Sequence, residues 1–255
     1  MKKTSILAVG FLFLLGSCSG SILNKYGSYK DYNKYHIIGK DGESFIDVNS
    51  LDIDWVRGSI NIYSSNKYQN ISIFEKTNEI INDDFKCHLY QDGKTLRVKY
   101  SKSNISIPTA YSKTLEVYVP YSLSLSHLTI NNVSSAITIE NIDCKELDVD
   151  NVSGKVNIKS LTCTSIEYDG VSGNLNMNIL DVTESVEISQ VSGNTILAIP
   201  ENTKGFGLEY ESVSGDLNLE FECNKKEDEY IYQEKDNCEI DFSSVSGNLT
   251  VAKSK

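Results

Sequence analysis

From residue 128 onward the chain alternates apolar and polar residues in short runs broken by a recurring corner. Each repeat opens with an alternating pair: Leu128/Ile130, Leu147/Val149, Ile166/Tyr168, Val186/Ile188, Leu208/Tyr210 and Ile240/Phe242. The corner follows, as Val133-Ser134-Ser135, Val152-Ser153-Gly154, Val171-Ser172-Gly173, Val191-Ser192-Gly193, Val213-Ser214-Gly215 and Val245-Ser246-Gly247. A second pair comes next: Ile137/Ile139, Val156/Ile158, Leu175/Met177, the weaker Thr195/Leu197, Leu217/Leu219 and Leu249/Val251. The regular repeats add a third, Ile142/Cys144, Leu161/Cys163 and Leu180/Val182. Alternation at period two marks strands with one buried face. The corners lie 19, 19, 20, 22 and 32 residues apart. A near-fixed period of this size predicts a solenoid, each coil stacked on the one before it in sequence at about 4.8 Å. At the corner, Val is expected to turn into the core, Ser to bond its own turn, and Gly to relax the backbone.

The pattern begins earlier. Leu51-Asp-Ile53-Asp-Trp55-Val56-Arg57-Gly58-Ser-Ile60-Asn-Ile62 fits the same template. Ile71-Ser-Ile73, Leu96-Arg-Val98 and Leu115-Glu-Val117-Tyr-Val119 read as further strands, with Asp92-Gly93 as a hairpin turn. No segment after residue 18 keeps a 3.6-residue period, and its Val, Ile, Tyr and Thr favour strands. The expected fold is therefore all-β, a single-chain parallel β-solenoid (β-helix). Residues 43–127 form an irregular N-terminal β region or cap continuous with it, because a solenoid end exposes strand edges that need covering. Residues 128–253 form the regular coils, interrupted by an insertion at 222–239.

The N-terminus has Lys2 and Lys3, an apolar run from Ile6 to Leu15, and Gly16-Ser17-Cys18. This is the form of an export signal, too short to span a bilayer. Leu15-Gly16-Ser17-Cys18 resembles the bacterial lipobox, which implies cleavage after residue 17 and lipid on Cys18. Residues 18–42 then read as a lipid-anchored tether. Its Tyr26, Tyr29, Tyr32 and Tyr35 recur every third residue without requiring a function. The expected location is extracytoplasmic, on the cell membrane or outer membrane.

Loss of residues 1–17 removes two lysines and no acid, so the net charge of −11 becomes −13. That balance argues against nucleic acid as a partner. Five cysteines follow Cys18, an odd number that leaves at least one thiol unpaired or bonded between chains. Cys223 and Cys238 flank the acidic insertion, and a disulfide between them would stabilise by about 3 kcal/mol in the loop-entropy picture. Cys144 and Cys163 share a column, so they are either stacked buried thiols or a bonded pair.

No His or Cys spacing suggests a metal site, and no residue set offers a nucleophile with an orienting base. No cofactor is expected. Asp148/Asp150, Glu167/Asp169 and Glu209/Glu211 stack on an outward face. Such acids can bind Ca²⁺ or act as a glycosidase pair, and a solvated strand face looks the same. Asn61, Asn157, Asn176 and Asn218 form an outward amide column. Tyr230 and Tyr232, in the largest break of the repeat, mark the expected contact loop.

The coils behind a lipobox resemble a bacterial family of candidate adhesins of unknown function. The motifs are Leu-Asp-Ile-Asp-Trp-Val-Arg-Gly-Ser-Ile-Asn-Ile at 51–62, Leu-Glu-Val-Tyr-Val-Pro at 115–120 and the Ser-Gly corners. Ser135, where Gly is usual, and the insertion after Phe221 depart from the pattern. The resemblance implies a parallel β-solenoid and no catalytic residue. The expected function is a non-catalytic adhesion or interaction module of the cell envelope, held to the membrane by lipid on Cys18. Its partner would be an envelope or host protein or a glycan. The alternatives are a β-helix polysaccharide-active enzyme and a structural or sensing lipoprotein.

Overall fold

The computed structural model describes residues 29–109, 111–233 and 238–254. Cys18 and the expected signal lie outside them. Strands β1 (His36–Ile37), β2 (Glu43–Phe45), β3 (Ser50–Ser65), β4 (Ile71–Lys76), β5 (His88–Asp92), β6 (Thr95–Lys99) and β7 (Lys113–Pro120) make the N-terminal part. The repeats follow as β8 (Leu125–Glu140), β9 (Ile142–Asn151), β10 (Val156–Gly170), β11 (Leu175–Pro200), β12 (Gly205–Ser212) and β13 (Leu217–Leu219). A hairpin of β14 (Asn224–Lys226) and β15 (Glu229–Gln233) leads to the last strand, β16 (Glu239–Ser254). The described chain is all-β apart from two short 3-10 turns.

One sheet takes in all sixteen strands, and it is mixed rather than wholly parallel. Its centre is a parallel ladder, β3-β8-β9-β10-β11-β16-β12. Register follows the apolar columns. Ile53 opposes Ile130, Ile130 opposes Val149, and Val149 opposes Tyr168. Ile60, Ile137, Val156 and Leu175 make a second column in the same way. These residues are almost completely buried and form one continuous core. In the third column, Leu161 opposes Ile179, which is buried, while Leu180 is exposed. The expected Leu180 position is therefore shifted by one residue where the register slips.

The order of repeats differs from the sequence order at both ends. The last strand, β16, lies between β11 and β12, so the repeat at 240 sits inside the repeat at 208. Ile240 is held between Val186 and Leu208, and Phe242 between Ile188 and Tyr210, on whose ring it stacks at 5.5 Å. The N-terminal end does the same. β3 lies between β8 on one side and β6 with β7 on the other, so the first repeat is inside the second. The 222–239 insertion is the return path that this order requires. Its β15 covers the outer edge of β12 antiparallel, and β14 pairs with β15. At the opposite end β5 covers β6, and β4 covers β7. An unpaired strand edge invites pairing with other chains, and antiparallel strands cover β6, β7 and β12, while the three-residue β13 pairs with β16 alone.

Residues 29–42, expected to be tether, are packed against this N-terminal end. β1 pairs with β5, Tyr35 packs on Tyr90 at 5.3 Å, and Ile38 is buried. Beneath them Lys113 is fully buried, with its ammonium 2.5 Å from Glu75 and 2.7 Å from the Phe85 carbonyl. The rings of Tyr100 and Trp55 lie 4.0 and 5.0 Å from it. A buried ammonium is tolerated only when paired and hydrogen-bonded, and this cluster meets that demand. It ties β7 to β4 and to the first repeat.

The corner corrects a sequence expectation. None of the six valines is fully buried, and Val213 is 76% exposed. At five of the six corners the inward position is the residue before Val, namely Asn132, Asn151, Gly170, Gln190 and Ser244, as it is for Trp55 in the early copy; Ser212, before Val213, is half-buried. Parity explains it. Counting in twos from Leu51 reaches Trp55, and from Leu128 reaches Asn132. The buried amides are satisfied by the corner itself. Asn132 accepts from the Ser135 N–H at 2.9 Å and donates to the Ser135 carbonyl and to Asn151 Oδ1 at 2.8 and 2.7 Å. Asn151 donates to the Gly154 carbonyl and to the Tyr168 hydroxyl.

The serines also bond differently from expectation, tying neighbouring repeats rather than their own turns. Ser153, Ser172, Ser192, Ser246 and Ser214 donate to the carbonyls of Val133, Val152, Val171, Val191 and Val245. Gly173 has φ +127°, and a Cβ there would lie 2.2 Å from the Gly154 carbonyl oxygen. Repeats stacked this closely need glycine at that point.

Two outcomes follow. Deleting 239–254 removes an interior repeat, not a terminal one. Burial of Ile240, Phe242, Leu249 and Val251 alone is worth about 6–12 kcal/mol. The truncated chain should lose cooperative unfolding by circular dichroism and become protease-sensitive from β11 onward; loss of only the final sixteen residues' signal would contradict the interleaved order. Asn132→Ala leaves buried partners unbonded at about 1–3 kcal/mol, which should lower the thermal midpoint by about 2–10 °C in a scanning calorimeter.

Candidate functional site

Because alternate residues of the long stacked strands β3, β8, β9, β10 and β16 are buried, the others form outward columns at strand spacing, about 4.8 Å. Two faces result. On the first-strand face, Asp52, Thr129, Asp148, Glu167, Glu187, Asp241 and Glu209 oppose one another in turn. Beside them run Asp54, Asn131, Asp150 and Asp169. The N-terminal end of this face is neutralised. Arg97 bonds Asp52 at 2.6 Å, and Lys99 bonds Asp54 at 2.6 Å. No cation pairs with Asp148, Asp150, Glu167 or Asp169 among the described residues. Burial, with Asp148, Asp169 and Asp54 nearby, pushes the Asp150 carboxyl up to about 6. Burial raises Asp148, and burial followed by neighbouring acids raises Glu167 and Asp169. Like charges at strand spacing on a partly dry surface make ionisation costly.

At the far end of this face Glu209, Glu239 and Asp241 bring carboxylate oxygens within 4.8 Å of one another. Such a trio has the donors for a divalent cation, and register alone is enough to oppose Glu209 and Asp241.

The second-strand face is different in kind. Glu116, Asn61, Thr138, Asn157 and Asn176 oppose one another in turn. Their column neighbours include Tyr118, Tyr63 and Glu140. Glu116 is paired with Lys76 at 2.6 Å, and Glu140 is paired with Lys159. The side chains of Asn61, Thr138, Asn157 and Asn176 make no hydrogen bond among the described residues. Of the amide column expected from the sequence, Asn61, Asn157 and Asn176 stand together with Thr138 between them, whereas Asn218 opposes Thr250, which opposes Ile196; the column does not tie the repeats together. Tyr63, Tyr68, Phe74 and Tyr118 gather at its outer end, with ring centroids 5.0–5.7 Å apart in four pairs. This aromatic group was not legible from sequence, since Tyr68 and Phe74 come from outside the repeat.

The expected contact loop is an ordered hairpin where it is described. Tyr232 packs on Phe221 at 4.8 Å and on Phe206 at 5.6 Å. Tyr230 is half-buried, with the Lys225 ammonium 3.2 Å from its hydroxyl. Phe206 also lines a recess of about 280 Å³, together with Ile179, Val186, Cys238 and Ile240.

Cys87, Cys144, Cys163, Cys223 and Cys238 are free thiols. Cys144 and Cys163 are in register, with their sulfurs 3.4 Å apart in the core. The shared hydrogen bond and burial hold the Cys144 proton firmly. Burial pushes the Cys238 thiol up to about 12. The histidines are dispersed. His36 and His127 each lie 2.7 Å from a glutamate, Glu43 and Glu146, and His88 is buried.

The repeats and their corners decide the family. The profile of the Toastrack DUF4097 family matches residues 122–252, half of the chain. The chain belongs to this Toastrack family. A candidate cell adhesion protein of Clostridium sporogenes has a similar fold, at TM-score 0.53 and 14% identity, over 86% of this chain and 98% of that one. A candidate adhesin of Bacteroides fragilis aligns at TM-score 0.35 and 10% identity, over 82% and 95%. Among curated proteins none matches. The Toastrack match takes in β16, the strand that returns to the interior, as far as Ala252.

The acid face sets a pH dependence. The Asp150 pKa is raised above its unfolded value near 3.9, so the folded chain binds more protons between about pH 4 and pH 6, and stability falls as pH rises through that window. Asp150→Asn should raise the thermal midpoint at pH 7 by a few degrees and flatten its change between pH 7 and pH 4. An unchanged pH profile would dismiss the raised carboxyl.

Proposed function

We propose that this chain is a lipid-anchored, non-catalytic adhesion or interaction module of the cell envelope, presented as a β-solenoid. The observation that carries the proposal is the outward surface. Its acids and amides lie in open columns along the parallel repeats instead of converging on a cleft. Open arrays of this kind suit extended partners, as concave repeat surfaces do in other solenoids. The fold shared with a candidate adhesion protein supports the assignment. Leu15-Gly16-Ser17-Cys18 supports export and lipid on Cys18, which would place the module outside the cytoplasm. No described helix is long and apolar enough to cross a membrane; lipid on Cys18 is the anchor this proposal assigns. Tyr230 is the contact residue this proposal assigns to the hairpin. A Cys223–Cys238 disulfide, if formed in an oxidising compartment, would lock that hairpin.

One observation favours a second reading, a polysaccharide-active enzyme. Asp150, protonated up to about pH 6, lies in the same column as Asp169 and is flanked by Asp148, and a glycosidase needs one raised and one ionised carboxyl.

Three measurements separate these readings. Cys18→Ala should move the full-length protein from the membrane to the soluble fraction. Residues 19–255, tagged and purified, should be retained saturably on intact cells or envelope sheets; absence of retention on either surface ends the adhesion proposal. The same preparation should release no reducing ends from polysaccharides, and release abolished by Asp150→Asn would establish the enzyme instead.

A further inference from the structure

We propose that the second-strand face is a binding site for a neutral, extended glycan, with Tyr63 and Tyr118 as its stacking platform and Asn61, Thr138, Asn157 and Asn176 as its polar track. The proposal rests on the adhesion reading and names its partner class.

The polar track is the first observation. Inside the fold, Asn132 and Asn151 are saturated with hydrogen bonds. Outside, Asn61, Thr138, Asn157 and Asn176 have none among the described residues, although register brings them opposite one another. An amide is both donor and acceptor, as a sugar hydroxyl is, so an unbonded amide row can meet hydroxyls of either polarity. The row repeats at about 4.8 Å, close to the length of one pyranose unit in an extended glycan.

The platform is the second. Tyr118 touches Tyr63, Tyr68 and Phe74, and its hydroxyl donates to Glu116 at 3.0 Å. All four rings are half-buried rather than buried. Aromatic faces carry negative quadrupole density and attract the C–H faces of sugars. Rings already fixed by their neighbours lose little entropy when a ligand arrives.

Charge selects the ligand. The acids of this face are paired, Glu116 with Lys76 and Glu140 with Lys159. The adjoining face carries Asp148, Asp150, Glu167 and Asp169 with no cation among the described residues, and the whole chain has a charge of −11. An anionic polysaccharide would be repelled along its length, whereas a neutral one would not.

The test is titration calorimetry of residues 19–255 with cellohexaose, chitohexaose and mannohexaose, and with hexagalacturonate as the anionic probe. At least one neutral hexamer should bind, with an affinity that changes little between low and high salt, and hexagalacturonate should not. The paired change Tyr63→Ala and Tyr118→Ala should weaken binding at least tenfold. Should that variant fail to fold, Asn157→Ser with Asn176→Ser, at side chains with no protein partner, should weaken binding several-fold with an unchanged circular dichroism spectrum. Asp150→Asn, on the acid face, should leave it unaltered. No neutral hexamer bound, or binding indifferent to both pairs, overturns the proposal. Envelope retention that survives the tyrosine pair also overturns it while leaving adhesion standing; glycan binding without envelope retention would end the adhesion reading alone.

Discussion

An open strand edge is a liability in a parallel stack, and the ends of this molecule are organised to keep such edges few and short. A chain that simply stacked repeat upon repeat would finish on an open edge at both termini. Here the first and last repeats are each drawn inside their sequence neighbours, so β3 and β16 are paired on both sides. The outer strands β6, β7 and β12 are covered by antiparallel strands, and the edge left open at β13 is three residues long. The insertion between Cys223 and Cys238 then has a topological reason to exist. It covers β12 and carries the chain back into the stack.

The corner obeys the same logic at the scale of single bonds. Repeats that approach so closely leave no room for a Cβ at Gly173 or Gly154, and they bring each serine hydroxyl under the neighbouring valine carbonyl. The inward residue of the corner has turn peptides beside it, and those peptides need partners. Asn132, Asn151 and Gln190 supply them, so a polar column runs beside an apolar core at little net cost. The Lys113 cluster plays the equivalent part at the N-terminal end, where the irregular β4 and β7 must be joined to the first repeat.

What is left over faces out. The interior takes alternate residues, and the surface inherits the rest as rows. One row is acidic, with Asp150 reluctant to ionise, and the other is neutral and aromatic at its end. The free energy of Asp150 ionisation is a standing cost to the fold at neutral pH, and no described cation offsets it. Two chemically distinct faces on one scaffold allow an extended partner to be chosen by charge as well as by shape.

The sequence by itself determined what alternation can determine. Strand positions, the apolar columns, the outward acids and amides, the Asp92-Gly93 hairpin and the strands of 43–127 were legible, because side-chain parity is a local property. Parity also placed Asn132 inward, although hydrophobicity pointed to Val133, and only the structure shows parity winning there. The order of repeats was not legible. Ile240 would fit equally well beside Val186 or beyond Leu208, since one aliphatic column serves every repeat, and nothing local distinguishes the two stacks. The grouping of Tyr63 and Tyr118 with Tyr68 and Phe74, and the burial of Lys113 between Trp55 and Tyr100, depend on strands far apart in the chain. Tertiary structure decided these because edge pairing is satisfied by the whole stack, not by any one repeat.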